Sequence, residues 1–150
     1  MLSVACRLAA TLPLRRLRAA ERLTRAMAGR RLPVELSLAV VGSATMRRLN
    51  RERRGDSAVT DVLSFGPAPA RVQAPALATG EVVICLPVAR SQAKRLGHAW
   101  SEELVVLLVH GLLHVAGFDH HWSADAVRMR RLEARILQRL GAPTSGLLDR

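Results

Sequence analysis

The sequence predicts an α+β domain, a small mixed sheet of about four strands packed with about five helices. Three observations carry that prediction. Segments of strand character and segments of helical spacing interleave as far as Cys85, and beyond it only helical segments follow. Glu81–Cys85 is a continuous apolar run suited to a sheet interior, whereas the apolar run Leu104–Val109 lies inside a helix-length segment bounded by Ser101 and Gly117. At 150 residues the chain makes one domain, 1–150, long enough for a proper core, and no run approaches the 18 apolar residues of a membrane span.

The elements read as follows. Leu2–Cys6 alternates weakly and forms a short strand. Pro13, with its φ fixed for a first helical turn, opens an amphipathic helix to about Ala28. Leu14, Leu17, Ala20, Leu23 and Met27 mark its apolar face, Arg15, Arg18, Arg22 and Arg25 its polar one, and Gly29 ends it. Val34–Val41 alternates and then runs apolar, a clear strand. Ser43 is the expected N-cap of a short helix through Met46 and Leu49, and Asn50–Val59 reads as a polar loop. Thr60–Phe65 is rich in β-formers, and the proline-bearing stretch Gly66–Thr79 is a loop within the domain. After Glu81–Cys85, Pro87 opens a helix to Leu96 that Gly97 stops. Ser101 is the expected cap of the next helix, with Glu102 and Glu103 in its first turn, where the helix dipole favours acids. Ser123 is the expected cap of the last, which runs to Leu140 with Val127, Leu132, Ile136 and Leu140 inward.

Charge is unevenly distributed. The chain carries a formal +11, and residues 1–54 hold thirteen arginines against three acids, Glu21, Glu35 and Glu52. A basic half of that kind suggests a polyanion partner, nucleic acid first, although arginine supplies 22 of the 23 basic residues and much of it is solvated helix surface. Cys6 and Cys85 lie far apart without a C-x-x-C pairing, which fits small hydrophobes in a reducing compartment rather than a disulfide or a zinc knuckle.

The chemistry concentrates in His110-Gly-Leu-Leu-His114-Val-Ala-Gly-Phe-Asp-His120. Four residues apart on a helix, His110 and His114 share one face. Gly117 ends that helix, and the turn through Phe118 and Asp119 lets His120 swing back towards them. Three neutral imidazoles suit a zinc ion that keeps an open fourth position. His121 reads as a solvated neighbour and His98 as a structural turn residue. Asp61, Glu81 and Asp119 are candidates to orient a ligand imidazole, though each equally suits a cap or turn. Gly111 stands where H-E-x-x-H zinc peptidases carry their glutamate base, and Leu104–Phe118 holds no acid at all, which disfavours a conventional zinc protease.

That motif resembles the metal-binding motif of the YbeY family of bacterial endoribonucleases. Further blocks carry the resemblance in order along nearly the whole chain. They are Leu49-Asn50 with Arg54-Gly55, then Thr60-Asp-Val-Leu-Ser-Phe65, then Gly80-Glu-Val-Val-Ile84, then Gly97-His98 with Glu103, and finally Met129, Glu133 and Leu140-Gly141. The resemblance implies a zinc-metalloprotease-like fold and one zinc ion per chain on His110, His114 and His120. It also implies single-strand-specific cleavage in maturation of the 3′ end of small-subunit ribosomal RNA, a part in ribosome quality control, and a cytoplasmic setting. Ribosomal RNA and small-subunit components are the implied partners, with neither a membrane nor a small-molecule cofactor. Arg54 matches the family's Leu-Asn-x-x-Tyr-Arg arginine and is the implied catalytic cation on the phosphate, with Arg47, Arg48 and Arg53 beside it as substrate-binding residues. The sequence departs from the family in having Arg53 for that tyrosine and Gly66 for the usual proline. Met1–Ala20 is acid-free and basic like a transit peptide, but the resemblance favours folded protein there. Two alternatives stand beside the nuclease: a zinc hydrolase of a non-RNA substrate, and a non-catalytic ribosome-associated protein with structural zinc.

Overall fold

The structure is a computed structural model that describes residues 2–6, 8, 10–29, 32–66, 79–118 and 123–145. The elements are β1 (Leu2–Cys6), α1 (Leu14–Ala28), β2 (Glu35–Val41), α2 (Ser43–Arg54), β3 (Val62–Phe65), β4 (Thr79–Cys85), α3 (Leu86–Leu96), α4 (Trp100–Val115) and α5 (Ser123–Leu140). This is the predicted α+β order. The four strands form one mixed sheet in the order β1-β2-β4-β3, with β1, β2 and β4 parallel and β3 antiparallel to β4. The apolar run of β4 thus lies inside the sheet, and β3 forms an edge.

Alternation along the strands sorts the side chains into two layers. Leu36, Leu38, Val40, Val82 and Ile84 point to the face packed against α1, α4 and α5. Val41, Leu63, Val83 and Cys85 point to the other face, where Met46 of α2 completes a smaller core. The central element is α4. It is buried from Glu103 to Leu113, apolar nearly all round, and it touches the sheet and the three other helices of its layer, α1, α3 and α5.

Glycines let α4 lie close to the sheet. A Cβ at Gly111 would lie 2.7 Å from Val82 Cγ1 and 3.0 Å from Ser64 Oγ, and one at Gly80 would lie 2.6 Å from Val115 Cγ1. With Gly111 over Val82 and Val115 over Gly80, α4 runs antiparallel to β4. Helix α1 runs the same way as α4. Near its start, Arg16 pairs with Glu102 in the first turn of α4. Near its end, Arg25 donates to the Pro33 carbonyl, and the Pro33 ring borders the same Gly80 that meets Val115. The C-terminal ends of α1 and α4 therefore lie at one end of the sheet.

Several local expectations change. Ser43 and Ser101 do not cap: Gly42 and Ala99 occupy the cap positions, and neither helix has a side-chain cap bond. The start of α4 is drawn back to Trp100, which packs against the core, and the Ala99 carbonyl accepts from the Glu102 and Glu103 amides. The expected loop from Asn50 begins only after Arg54. Buried Asn50 stays helical and donates to the Ala58 carbonyl, and Gly55, at φ 72°, ends α2 in the left-handed region. In α5 the buried residues are Met129, Glu133, Ile136 and Leu137, Leu132 and Leu140 pack half-buried against the core as expected, and Val127 is exposed; in α1, Leu14 is exposed and Glu21, Thr24 and Ala28 are buried. Helix α5 begins at Ser123 itself. Most of the Gly66–Thr79 stretch lies outside the described residues, and Thr79 already belongs to β4.

Candidate functional site

The site forms where α4 ends. Its last turns carry His110, which is buried, and His114, which is half-buried. The two rings meet edge to face with centroids 4.8 Å apart, and their Nε2 atoms lie 3.2 Å from one another. On the other side of His110, Nδ1 lies 3.1 Å from Glu133 Oε1 of α5, and that carboxylate is almost fully buried. A carboxylate only accepts, so His110 Nδ1 donates and the neutral ring keeps its lone pair on Nε2, aimed at His114. Two imidazole nitrogens so placed are either donor and acceptor or two vertices of one coordination sphere, since tetrahedral ligands at 2.0–2.1 Å lie about 3.3 Å apart. The donor set and spacing fit a zinc ion.

The helix itself contributes. After Val115 the chain takes a two-bond stop, with Gly117 N–H donating to the His114 carbonyl and Phe118 N–H to the Leu113 carbonyl, and Gly117 at φ 87°. The C-terminal end of a helix carries partial negative charge, which favours a cation at the histidine end. Among the described residues no group of three or more His, Cys, Asp or Glu side chains is placed to hold a metal. His120, the expected third ligand, lies outside the described residues, as do Asp119 and His121.

Glu133 is the residue that sequence reasoning missed as an orienting partner. Its signal was present: it stands four residues after Met129 and three and four before Ile136 and Leu137, an acid on an apolar helical stripe. The candidates named instead sit elsewhere. Asp61 caps the start of β3, accepting from the Val62 amide at 2.7 Å and from Gln92 Nε2 at 2.9 Å. Glu81 alternates with Val82 and so faces the α2 side of the sheet, away from α4. His98 is structural as expected: it pairs through Nε2 with the fully buried Glu103, while Nδ1 lies 3.4 Å from Ser145 Oγ. Cys85 is core.

The predicted arginines lie on α2, on the opposite face of the sheet. Arg47, Arg48, Arg53 and Arg54 are all exposed, and Arg48 pairs weakly with Glu52 at 3.5 Å. The C-terminal turn of α2 nonetheless reaches the same end of the sheet as that of α4. Arg53 stacks over the Phe65 ring with its guanidinium 4.8 Å from the centroid. Phe65 is followed by Gly66, whose position abuts the backbone of Val115: a Cβ there would lie 3.4 Å from the Val115 carbonyl oxygen. Arg53 thus stands at the edge of the sheet nearest the end of the histidine helix, and Arg54 is the next residue of the chain, exposed.

A small mixed sheet packed under a buried central helix is a fold also seen in a solution structure of TM1509 from Thermotoga maritima. The two agree with a TM-score of 0.58 over 93% of this chain and 91% of that one; at 19% identity the likeness is one of fold. The sequence narrows the class to a family. Residues 14–141 match the family model Endoribonuclease YbeY, and proteins named Endoribonuclease YbeY are 40% identical in Desulfitobacterium hafniense (71% of this chain, 72% of that one) and in Campylobacter fetus (74% and 78%). A chloroplastic Endoribonuclease YBEY of Arabidopsis thaliana is 38% identical over 77% of this chain and 20% of its own length. The chain belongs to the YbeY family and thereby to the RNA-cleaving hydrolases. Among the described residues no helix is long and apolar enough to cross a membrane.

Proposed function

We propose that this chain is a zinc-dependent, single-strand-specific endoribonuclease of ribosomal RNA maturation, working in the cytoplasm and in ribosome quality control with small-subunit components presenting the RNA. His110, His114 and His120 hold one zinc ion, and Arg54 meets the phosphate. The observation that carries this reading is the pair of Nε2 atoms 3.2 Å apart with Glu133 fixing the ring of His110, in a chain of this family. Zinc, when bound, supplies Lewis acidity to the phosphodiester and to the group that attacks it.

The side chains divide the remaining work. Glu133 holds His110 in the tautomer whose Nε2 faces the cation. Arg54 offers a guanidinium for the charge that builds on the phosphoryl oxygens, and Arg47, Arg48 and Arg53 hold neighbouring phosphates. The aliphatic surround of α4 keeps the His110 imidazole out of bulk water and strengthens the charge interactions made there, whereas His114 stays half-exposed.

A non-RNA zinc hydrolase of the glutamate-assisted peptidase kind is opposed by Gly111. That position faces Val82 and Ser64 with no room for a Cβ, so a glutamate base has no space to stand there. The deciding experiment is cleavage of a labelled single-stranded ribosomal RNA fragment by zinc-loaded protein, with chelator, His114→Ala and Arg54→Ala as controls. Cutting is expected for the wild type and lost in all three controls, with Arg54→Ala still binding zinc. Equal cutting by wild type and His114→Ala would sink the proposal; stoichiometric zinc with no cleavage would move the structural-zinc reading to first place.

A further inference from the structure

The outer face of α1 holds a second cluster of arginines, away from the helix on which the phosphate-binding residues were expected. Arg15, Arg18 and Arg22 are exposed and follow one another at helical spacing of three and four. They line two adjoining surface cavities that share Arg18 and Arg22, one reaching to Arg16 and Ala19, the other to Leu2 and Arg25. The five arginines of this helix fall into two kinds. Arg16 is committed to Glu102 and to the Leu140 carbonyl, and Arg25 to Glu21 and the Pro33 carbonyl, so these two fasten α1 to α4, α5 and the chain before β2. Among the described residues Arg15, Arg18 and Arg22 have no carboxylate partner. Glu21, the acid in the wall of the second cavity, is already neutralised by Arg25.

Such a stripe has no stabilising role in the fold. Like charges three and four apart repel along a helix, and the first turn of α1 carries basic residues and no acid, the sign its dipole disfavours. The direction of the stripe is informative as well. Because α1 runs alongside α4 in the same sense, the arginines form a track that starts beside the first turn of α4 and advances towards the end where His110 and His114 lie. From Arg15 to Arg22 it covers about 10 Å of helix axis.

We propose that Arg15, Arg18 and Arg22 form a phosphate-binding track that grips the backbone of the RNA strand outside the cleavage site and leads it to the histidine end of α4. This rests on the endoribonuclease reading above. Charge complementarity selects the partner, since evenly spaced guanidiniums along a groove suit the repeating phosphates of a nucleic acid. The track is independent of the arginines of α2, which lie on the other face of the sheet.

The test is equilibrium binding of a labelled single-stranded RNA by the full zinc-loaded chain across a salt series. The wild type is compared with Arg15→Ser/Arg18→Ser/Arg22→Ser and with a control that removes the same charge from exposed positions of α3, Arg90→Ser/Lys94→Ser/Arg95→Ser. The α1 variant is expected to bind more weakly and to lose about 2 from the steepness of log K against log salt, from three phosphate contacts at ~0.7 each. The α3 control is expected to keep the wild-type slope, and lysines at the three α1 positions to restore it. Unchanged slope in the α1 variant, or equal loss in both triple variants, overturns the track. Binding and cleavage are scored separately: RNA bound but uncut defeats the nuclease reading while the slopes still decide the track. A wild type that binds no RNA defeats the track outright.

Discussion

Helix α4 takes part in two histidine–glutamate pairs, each with a buried carboxylate, that use opposite nitrogens. At its start, Glu103 engages Nε2 of His98 and Ser145 approaches Nδ1, so both ring nitrogens face protein groups. Near its end, Glu133 engages Nδ1 of His110, and Nε2 turns towards the Nε2 of His114. The chemical ingredients are the same, and the outcome depends on which nitrogen the carboxylate takes. In the first pair the imidazole is consumed in fastening the turn after α3 to α4. In the second, the carboxylate sets the tautomer and leaves a lone pair directed at a second imidazole, the arrangement a metal ion needs.

Substitutions can break or sharpen that contrast. The largest effect is expected from His114→Ala, which removes one of the facing nitrogens: stoichiometric zinc binding, read by metal analysis after dialysis, should be lost along with RNA cleavage. Glu133→Gln keeps the shape and removes the charge that fixes His110. Zinc affinity measured against a competing chelator should fall by about 10–100-fold, and an unchanged affinity would deny Glu133 its orienting role. Glu103→Gln tests the other pair. It should cost about 1–3 kcal/mol of stability in denaturant unfolding, because a buried charged hydrogen bond is replaced by a poorer one, yet leave zinc affinity within twofold. A matching loss of zinc affinity would mean that the two pairs are not separate in function. Ser145→Ala should have the smallest effect, within about 0.5 kcal/mol, since the hydroxyl is exposed and its contact long.

Gly111 directly follows His110 and adds a steric test of the same helix. Gly111→Ala places a Cβ against Val82 and Ser64, and the resulting overpacking should cost about 1–3 kcal/mol by thermal or denaturant unfolding. A neutral or stabilising result would show that α4 can lift from the sheet, and with it the histidines from their present register.

Much of this was legible along the chain because the signals are local. The element order, the spans of β1 and α1, the helix stops at Gly97 and Gly117 and the pairing of His110 with His114 follow from spacing, glycine and hydrophobic pattern. Helix starts were read less well. Ser43 and Ser101 looked like caps, but a cap side chain is optional where backbone carbonyls already serve the first turn, as Ala99 does. On α5 the apolar pattern points to Val127 as inward, and the fold leaves it exposed. The stripe that begins at Met129 includes an acid, and an acid at a core position gives an apolar-pattern reading no reason to choose it.

The amino-acid order by itself determined which residues are chemically capable: two imidazoles one helical turn apart, a helix too apolar for the surface, and arginines spaced along α1 and α2. Those are properties of spacing and composition, and they hold wherever the helices go. Tertiary structure decided the pairings. It brought Glu133, 23 residues from His110, onto its ring, set α2 on the far face of the sheet from α4, and aligned α1 with α4 so that its arginines run towards the histidines. The physical reason is that such contacts join residues distant in sequence. Their partners are selected by how the sheet and helices bury apolar surface, which the local pattern of one segment does not record.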